Sequence, residues 1–121
     1  MTPFGAKMRA MRRSRNLTLT AMAREIGVSP AYLSALEHGR RGPPPWHLVQ
    51  AIIAYFNIIW DEAEELQRLA GLSNPRVTVD TGGLAPEATE LANVLAATVH
   101  LMSREDAAAL LQRLRATVER R

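Results

Sequence analysis

The side chains that could do chemistry are few, and most lack the company catalysis needs. His38, His47 and His100 share no helical spacing and no H-E-x-x-H or H-x-x-E pattern, so they offer no zinc-binding set. There is no cysteine, which removes disulfides and thiolate metal sites and is compatible with a reducing cytoplasm. Asp61, Glu62, Glu64 and Glu65 cluster, but acids at the start of a helix are favoured by its dipole without any catalytic role. Ser29, Ser34 and Ser103 lie in no G-x-S-x-G elbow, and there is no Gly-rich loop to cradle a phosphate. No enzyme, metal or cofactor is expected.

What remains is cationic. Residues 1–41 hold eight Lys and Arg against Glu25 and Glu37, a net +6 in a chain whose total is +3. Residues 42–70 set Arg68 against four acids, and residues 71–121 balance at six against six. A basic first third points to a polyanion, although Arg-rich helix faces are also common solvated surfaces. The 121 residues, 47% hydrophobic and 22% charged, fit one small globular domain plus an appendage. No apolar run marks a signal peptide. The most apolar stretch, AIIAYFNIIW at 51–60, is too short for a bilayer and is broken by Asn57. A cytoplasmic protein with no membrane partner is expected.

The elements that must position these groups read as helices throughout. Phe4, Met8 and Met11 make one apolar stripe on a first helix from about Pro3 to Arg15, which Asn16 can stop. A second helix starts at Thr18 or Thr20, either of which can cap it, and ends at Gly27. The third has Ser29 as cap, Pro30 at its first position and Gly39 beyond its end. GRRGPPP at 39–45 is a turn, and a fourth helix follows from Pro45 or Trp46 to Phe56. A fifth runs from a capping box at Asp61 and Glu64 to Gly71. Trp46 and Trp60 are expected to fill the core or an interface. Residues 72–85 form a linker in which Val77-Thr78-Val79 is a short extended piece or strand. Pro86 opens a sixth helix with Leu91, Val94, Leu95, Thr98, Leu101 and Met102 on its apolar face. Ser103, followed by Asp106, starts a seventh through Leu110, Leu111, Leu114 and Val118 to about Glu119. The fold class is all-α, with a five-helix unit (1–71), a linker (72–85) and a helical hairpin (86–121).

Two short helices joined at a glycine, with small or apolar residues at fixed offsets, are what a helix-turn-helix requires. Ala23 is small where the third helix crosses, Gly27 makes the turn, and Val28, Leu33 and Leu36 fill the shared core. That leaves the outer face of helix 29–38 free to enter a major groove. The order and spacing of M-R-x-M-R (8–12), L-T-L-T-x-M-A (17–23), I-G-V-S-P-x-Y-L-S-x-L-E-x-G-R-R (26–41) and L-V-x-A-I (48–52) resemble the lambda-repressor-like, or XRE, helix-turn-helix family. The resemblance covers about residues 4–70. The tail is similar to the extra helices many members use for dimerisation or ligand sensing.

The resemblance implies a transcriptional regulator, with repression the simplest mode, that binds a palindromic site on double-stranded DNA as a homodimer. Ser29, Pro30, Ala31, Tyr32, Ser34 and Ala35 stand where members read bases. Members that read adenine often carry amides at the counterparts of Pro30, Ala31 and Ala35, and this chain does not. Methyls and hydroxyls can touch a thymine methyl or make single hydrogen bonds, but none makes a bidentate contact. Base reading then falls to His38, Arg40, Arg41 or Arg15, or to DNA shape. Phosphate contacts are expected from the two helix N-termini with Thr18, Thr20 and Ser29, and from His38, Arg40 and Arg41. Leu19 stands where members often carry a phosphate-binding Gln. Arg12 and Glu37 occupy positions of an inner salt bridge. Leu91, Leu95, Met102, Leu110 and Leu114 are the expected dimer contacts. The competing reading is an antitoxin-type interaction module whose C-terminal helices bind a partner protein. An unknown effector also fits the tail.

Overall fold

The computed structural model describes residues 1–121 as α1 (Pro3–Ser14), α2 (Leu19–Ile26), α3 (Pro30–Glu37), α4 (Trp46–Phe56), α5 (Trp60–Gly71), α6 (Pro86–Thr98) and α7 (Arg104–Glu119). One 3-10 turn, Val99–Leu101, follows α6, and there is no strand. The chain divides into two units, Met1–Val77 and Thr78–Arg121.

The first unit is built around Phe4, Met8, Met22, Leu33, Ile52 and Leu66, none of which reaches solvent. Full burial of such a side chain stabilises by about 1.5–3 kcal/mol. Local chemistry starts and stops each helix around that core. Thr2 Oγ1 accepts the Gly5 amide at 3.0 Å. Thr18, not Thr20, caps α2, accepting from the Ala21 amide at 3.0 Å. Ser29 accepts from the Tyr32 amide at 3.0 Å, and Pro30 takes the first helical position of α3. Gly27 (φ 81°) and Gly39 (φ 74°) turn the chain through the left-handed region after α2 and α3, where a side chain would be strained.

One expectation is overturned and three are narrowed. The helix α5 begins at Trp60, with Ile59 as a cap that lends no side-chain bond, so Asp61 is not its cap. Ile58 is buried, and the chain swings through Asn57 (φ 54°) and Trp60 (φ 53°) into the helix two residues before a cap at Asp61 would start it. Trp46 and Trp60 fill no core, being 66% and 79% exposed, because both stand at helix starts outside the buried stripe, and of the two expected roles only an interface is left to them. Val77-Thr78-Val79 pairs with nothing and forms no strand. The first unit also extends past Gly71. Ser73 is buried, accepts the Phe4 amide at 2.9 Å and donates to the Leu69 carbonyl at 2.6 Å.

In the second unit no residue is buried. Ser103 and Asp106 form a full capping box at the start of α7. Leu91, Leu95, Leu110 and Leu114 are roughly half exposed or more, so α6 and α7 do not close on each other as a packed hairpin would.

The helix α1 and the end of α3 approach each other closely. A Cβ added at Gly5 would fall on the Glu37 carbonyl oxygen and lie 2.7 Å from Glu37 Cα. The Glu37 carbonyl also accepts the Thr2 amide at 3.1 Å. Two turns further along α1, Arg12 Nη2 donates to Glu37 Oε1 at 2.6 Å, with both side chains nearly out of solvent. Gly5→Ala should therefore lower the melting temperature, by an overpacking penalty of about 1–3 kcal/mol. Gly42→Ala, where an added Cβ meets nothing, should leave it unchanged. Glu37→Ala should cost about 3–5 kcal/mol, because it strands a buried guanidinium. Urea titration of Glu37→Ala beside an Arg12→Met/Glu37→Leu double variant checks the cause, and the double variant should recover most of the loss.

Candidate nucleic-acid interface

The surface built on α2, α3 and the turn after α3 has three kinds of group. The first is free backbone N–H. The N-terminus of α2 leaves its first amides unpaired, beside the exposed hydroxyls of Thr18 and Thr20. Thr18 Oγ1 accepts from Ala21, and its hydroxyl proton is left to donate to a ligand. Thr20 has no partner in the chain. Such a helix start favours an anion through both its amides and its dipole.

The second kind is the outer face of α3. Ser29, Pro30 and Ala31 are exposed, while Tyr32, Ser34 and Ala35 are partly buried. Leu33, Leu36 and Glu37 face inward and are buried. This division follows from helical spacing: positions 33, 36 and 37 share one side, and 31 and 34 lie away from it. The exposed face carries methyls, a pyrrolidine and hydroxyls, and no amide or charge.

The third kind follows α3. His38 Nδ1 lies 2.8 Å from the Ser34 carbonyl. A carbonyl can only accept, so Nδ1 carries the proton and Nε2 is left for an outside partner. Arg40 is exposed and its guanidinium has no partner in the chain, while its amide donates to the Ala35 carbonyl at 2.9 Å. Arg41 places its guanidinium carbon 5.5 Å from the Tyr32 ring centroid.

Arg15 is otherwise engaged. Its Nη1 donates to the Met11 carbonyl at 3.1 Å, and its guanidinium lies 5.0 Å from the Phe56 ring centroid. It closes α1 and packs on α4, which leaves fewer of its donors free than Arg40 or Arg41 keeps. The structure thus brings together Arg12 with Glu37, Ser34 with His38, and Tyr32 with Arg41. Sequence reading missed the pairings of Arg41 and Arg15, whose partners lie nine and 41 positions away with no periodic signal.

No three His, Asp or Glu residues come close enough to hold a metal ion. Asp61 and Glu62 occupy the exposed first turn of α5. No helix is long and apolar enough to cross a membrane.

Comparison with known proteins places this geometry. Over 71 residues, 59% of this chain, the sequence is 35% identical to a Bacillus subtilis (strain 168) protein named "Uncharacterized HTH-type transcriptional regulator RghRB". Over 44 residues, 36% of this chain, it is 46% identical to the "HTH-type transcriptional repressor RghR" of the same organism. The matched regions span 49% and 33% of those relatives, so the chain covers about half their length or less. No solved structure matches. Residues 3–66, more than half of the chain, match the family model described as a helix-turn-helix domain. These residues take in α1 to α4 and the first half of α5, and the chain belongs to the helix-turn-helix domain family, in its XRE-like form.

Proposed function

We propose that the chain is a sequence-specific DNA-binding transcriptional regulator, acting as a repressor, that lays α3 in the major groove of a palindromic operator as a homodimer. The observation that carries this reading is the two-sidedness of α3. Leu33, Leu36 and Glu37 anchor it in the core, while Ser29, Pro30 and Ala31 stand free at its first turn, with His38, Arg40 and Arg41 at its end. Phosphates are held by the start of α2 with Thr18 and Thr20, by Ser29 and by Arg40, which fixes register. Tyr32, Ser34 and Ala35 shape the groove-facing side. The names of the two Bacillus relatives, a regulator and a repressor, point the same way. Occlusion of a promoter is the simplest mode of repression, and the site of action is wherever the cell keeps its DNA.

The second unit supplies the dimer. Leu91, Leu95, Leu110 and Leu114 are exposed, and Met102 is half-buried. A second copy is the occupant that the charges favour. Arg104, Glu105 and Asp106 open α7 with a net charge of −1, whereas Arg113, Arg115, Glu119, Arg120 and Arg121 give its second half and the residues just beyond a net +3. Antiparallel pairing of two α7 helices sets acidic starts against basic ends, and parallel pairing sets like against like. An antitoxin-type module would instead place a different protein on the same leucines.

Selection of bound fragments from a random DNA pool should return a palindrome whose half-sites are separated by about 34–36 Å, one helical turn, or a multiple. Log affinity should fall with log salt at a slope near −0.9 per phosphate neutralised. Steep salt dependence with no enriched sequence would sink the specific reading. Leu110→Arg/Leu114→Arg should convert a dimer to a monomer by light scattering and abolish tight operator binding, with the melting of the first unit unchanged. A monomeric wild type would reject the dimer.

A further inference from the structure

The outer face of α3 offers no group able to grip a base edge with two hydrogen bonds, yet one fork of donors is held beside it. Arg41 lies beyond the turn at Gly39, nine residues after Tyr32 in sequence, and its guanidinium nevertheless sits over the Tyr32 ring at 5.5 Å from the centroid. Tyr32 itself is fixed. Its amide is bonded to Ser29 Oγ in the first turn of α3, and its side chain packs partly against the core. A guanidinium beside an aromatic ring gains from the ring quadrupole, while its N–H donors remain available at its edges. Arg41 has no hydrogen bond or ion pair within the chain, so all five donors are unused. Arg40, the neighbouring cation, has no such ring to hold it. Arg15, the remaining candidate, is engaged with Met11 and Phe56.

We propose that Tyr32 and Arg41 work as one unit. Arg41 is the specificity-determining residue that reads the O6 and N7 edge of a guanine, and Tyr32 is a positioning residue that holds Arg41 beside the first turn of α3. This rests on the reading that α3 enters the major groove. The ring reduces the freedom a long side chain must lose on binding, which is the usual weakness of an exposed Arg as a reader. The helix thereby obtains from outside itself the bidentate donor pair that its own face lacks.

The test is fragment selection with the full chain, run in parallel on wild type, Arg41→Lys, Tyr32→Phe and Tyr32→Leu. Wild type should select a motif with a guanine in each half-site. Arg41→Lys keeps the charge but not the fork. It should lose about 5- to 150-fold of discrimination at that guanine, the range expected for one bidentate contact, with the salt slope unchanged. Tyr32→Leu should lose preference at the same base pair, and Tyr32→Phe should retain it. The Tyr32→Leu/Arg41→Lys double variant should lose no more than Arg41→Lys alone. In the free protein, ring-current shifts of the Arg41 side-chain protons should be present in wild type and Tyr32→Phe and absent in Tyr32→Leu. That measurement stands even where Tyr32→Leu proves too unstable for selection, because wild type without the shifts overturns the positioning role. Equal weakening of all sequences by Arg41→Lys would make Arg41 a phosphate contact and overturn the proposal. A wild type that enriches a motif unaffected by Arg41→Lys would also overturn it, while leaving the DNA-binding function standing. A wild type that enriches nothing would overturn both.

Discussion

The contact between α1 and the last turn of α3 is the constraint on which the first unit depends. Three interactions meet at Glu37: its carbonyl receives the Thr2 amide, its backbone lies against Gly5 where no Cβ fits, and its carboxylate takes the Arg12 guanidinium. Each acts on a different part of the residue, so together they define both the distance and the rotation of α3 relative to α1. The ion pair by itself is weak evidence of stability, since desolvation of two charges offsets much of their attraction. It does contribute direction. Arg12 Nε finds no partner, so a single N–O contact carries the pairing, and Glu37 is kept inside where its charge does not oppose phosphate.

That placement divides labour along α3. The inner side is committed to packing, and the outer side is left with residues of small volume and little polarity. A helix of this kind can approach a groove closely because nothing long stands in the way. Contacts of length and charge are displaced to the segment beyond Gly39, where the backbone leaves the helix. The turn at Gly39 (φ 74°) therefore sets where the cations begin.

Much of the fold could be read from residues whose effect is local. Ser29-Pro30, Gly27 and the Ser103/Asp106 pair each act on a few neighbouring amides or on one backbone torsion, and they determine helix ends without outside help. The pattern of Phe4, Met8, Leu33, Leu36 and Ile52 identified a core for the same reason: period and polarity are properties of a short window. The errors share the opposite cause. Asp61 has the chemistry of a cap, but burial of Ile58, a tertiary effect, starts α5 two residues earlier than that cap would. Trp46 and Trp60 have the hydrophobicity of core residues but lie off the buried face. Ser73 looked like part of a linker until Phe4, distant in sequence, was placed beside it. At the interface, the identity of the cations was legible and their company was not. Arg15 and Arg41 look alike in sequence, and only the structure shows that one meets Phe56 and the Met11 carbonyl while the other meets Tyr32.

The Ser73 hydroxyl has a consequence for biosynthesis. The amide of Phe4 is one of the unpaired donors that every helix leaves at its start, and its acceptor lies 69 residues downstream. On a ribosome adding about 5–20 residues per second, that amide emerges several seconds before its partner exists. Until then the beginning of α1 is held only by the Thr2 cap and by whatever α3 already provides. The helix α1 is thus made before α5 yet finished after it, and the serine that completes it fastens the first turn of α1 just after α5 has ended.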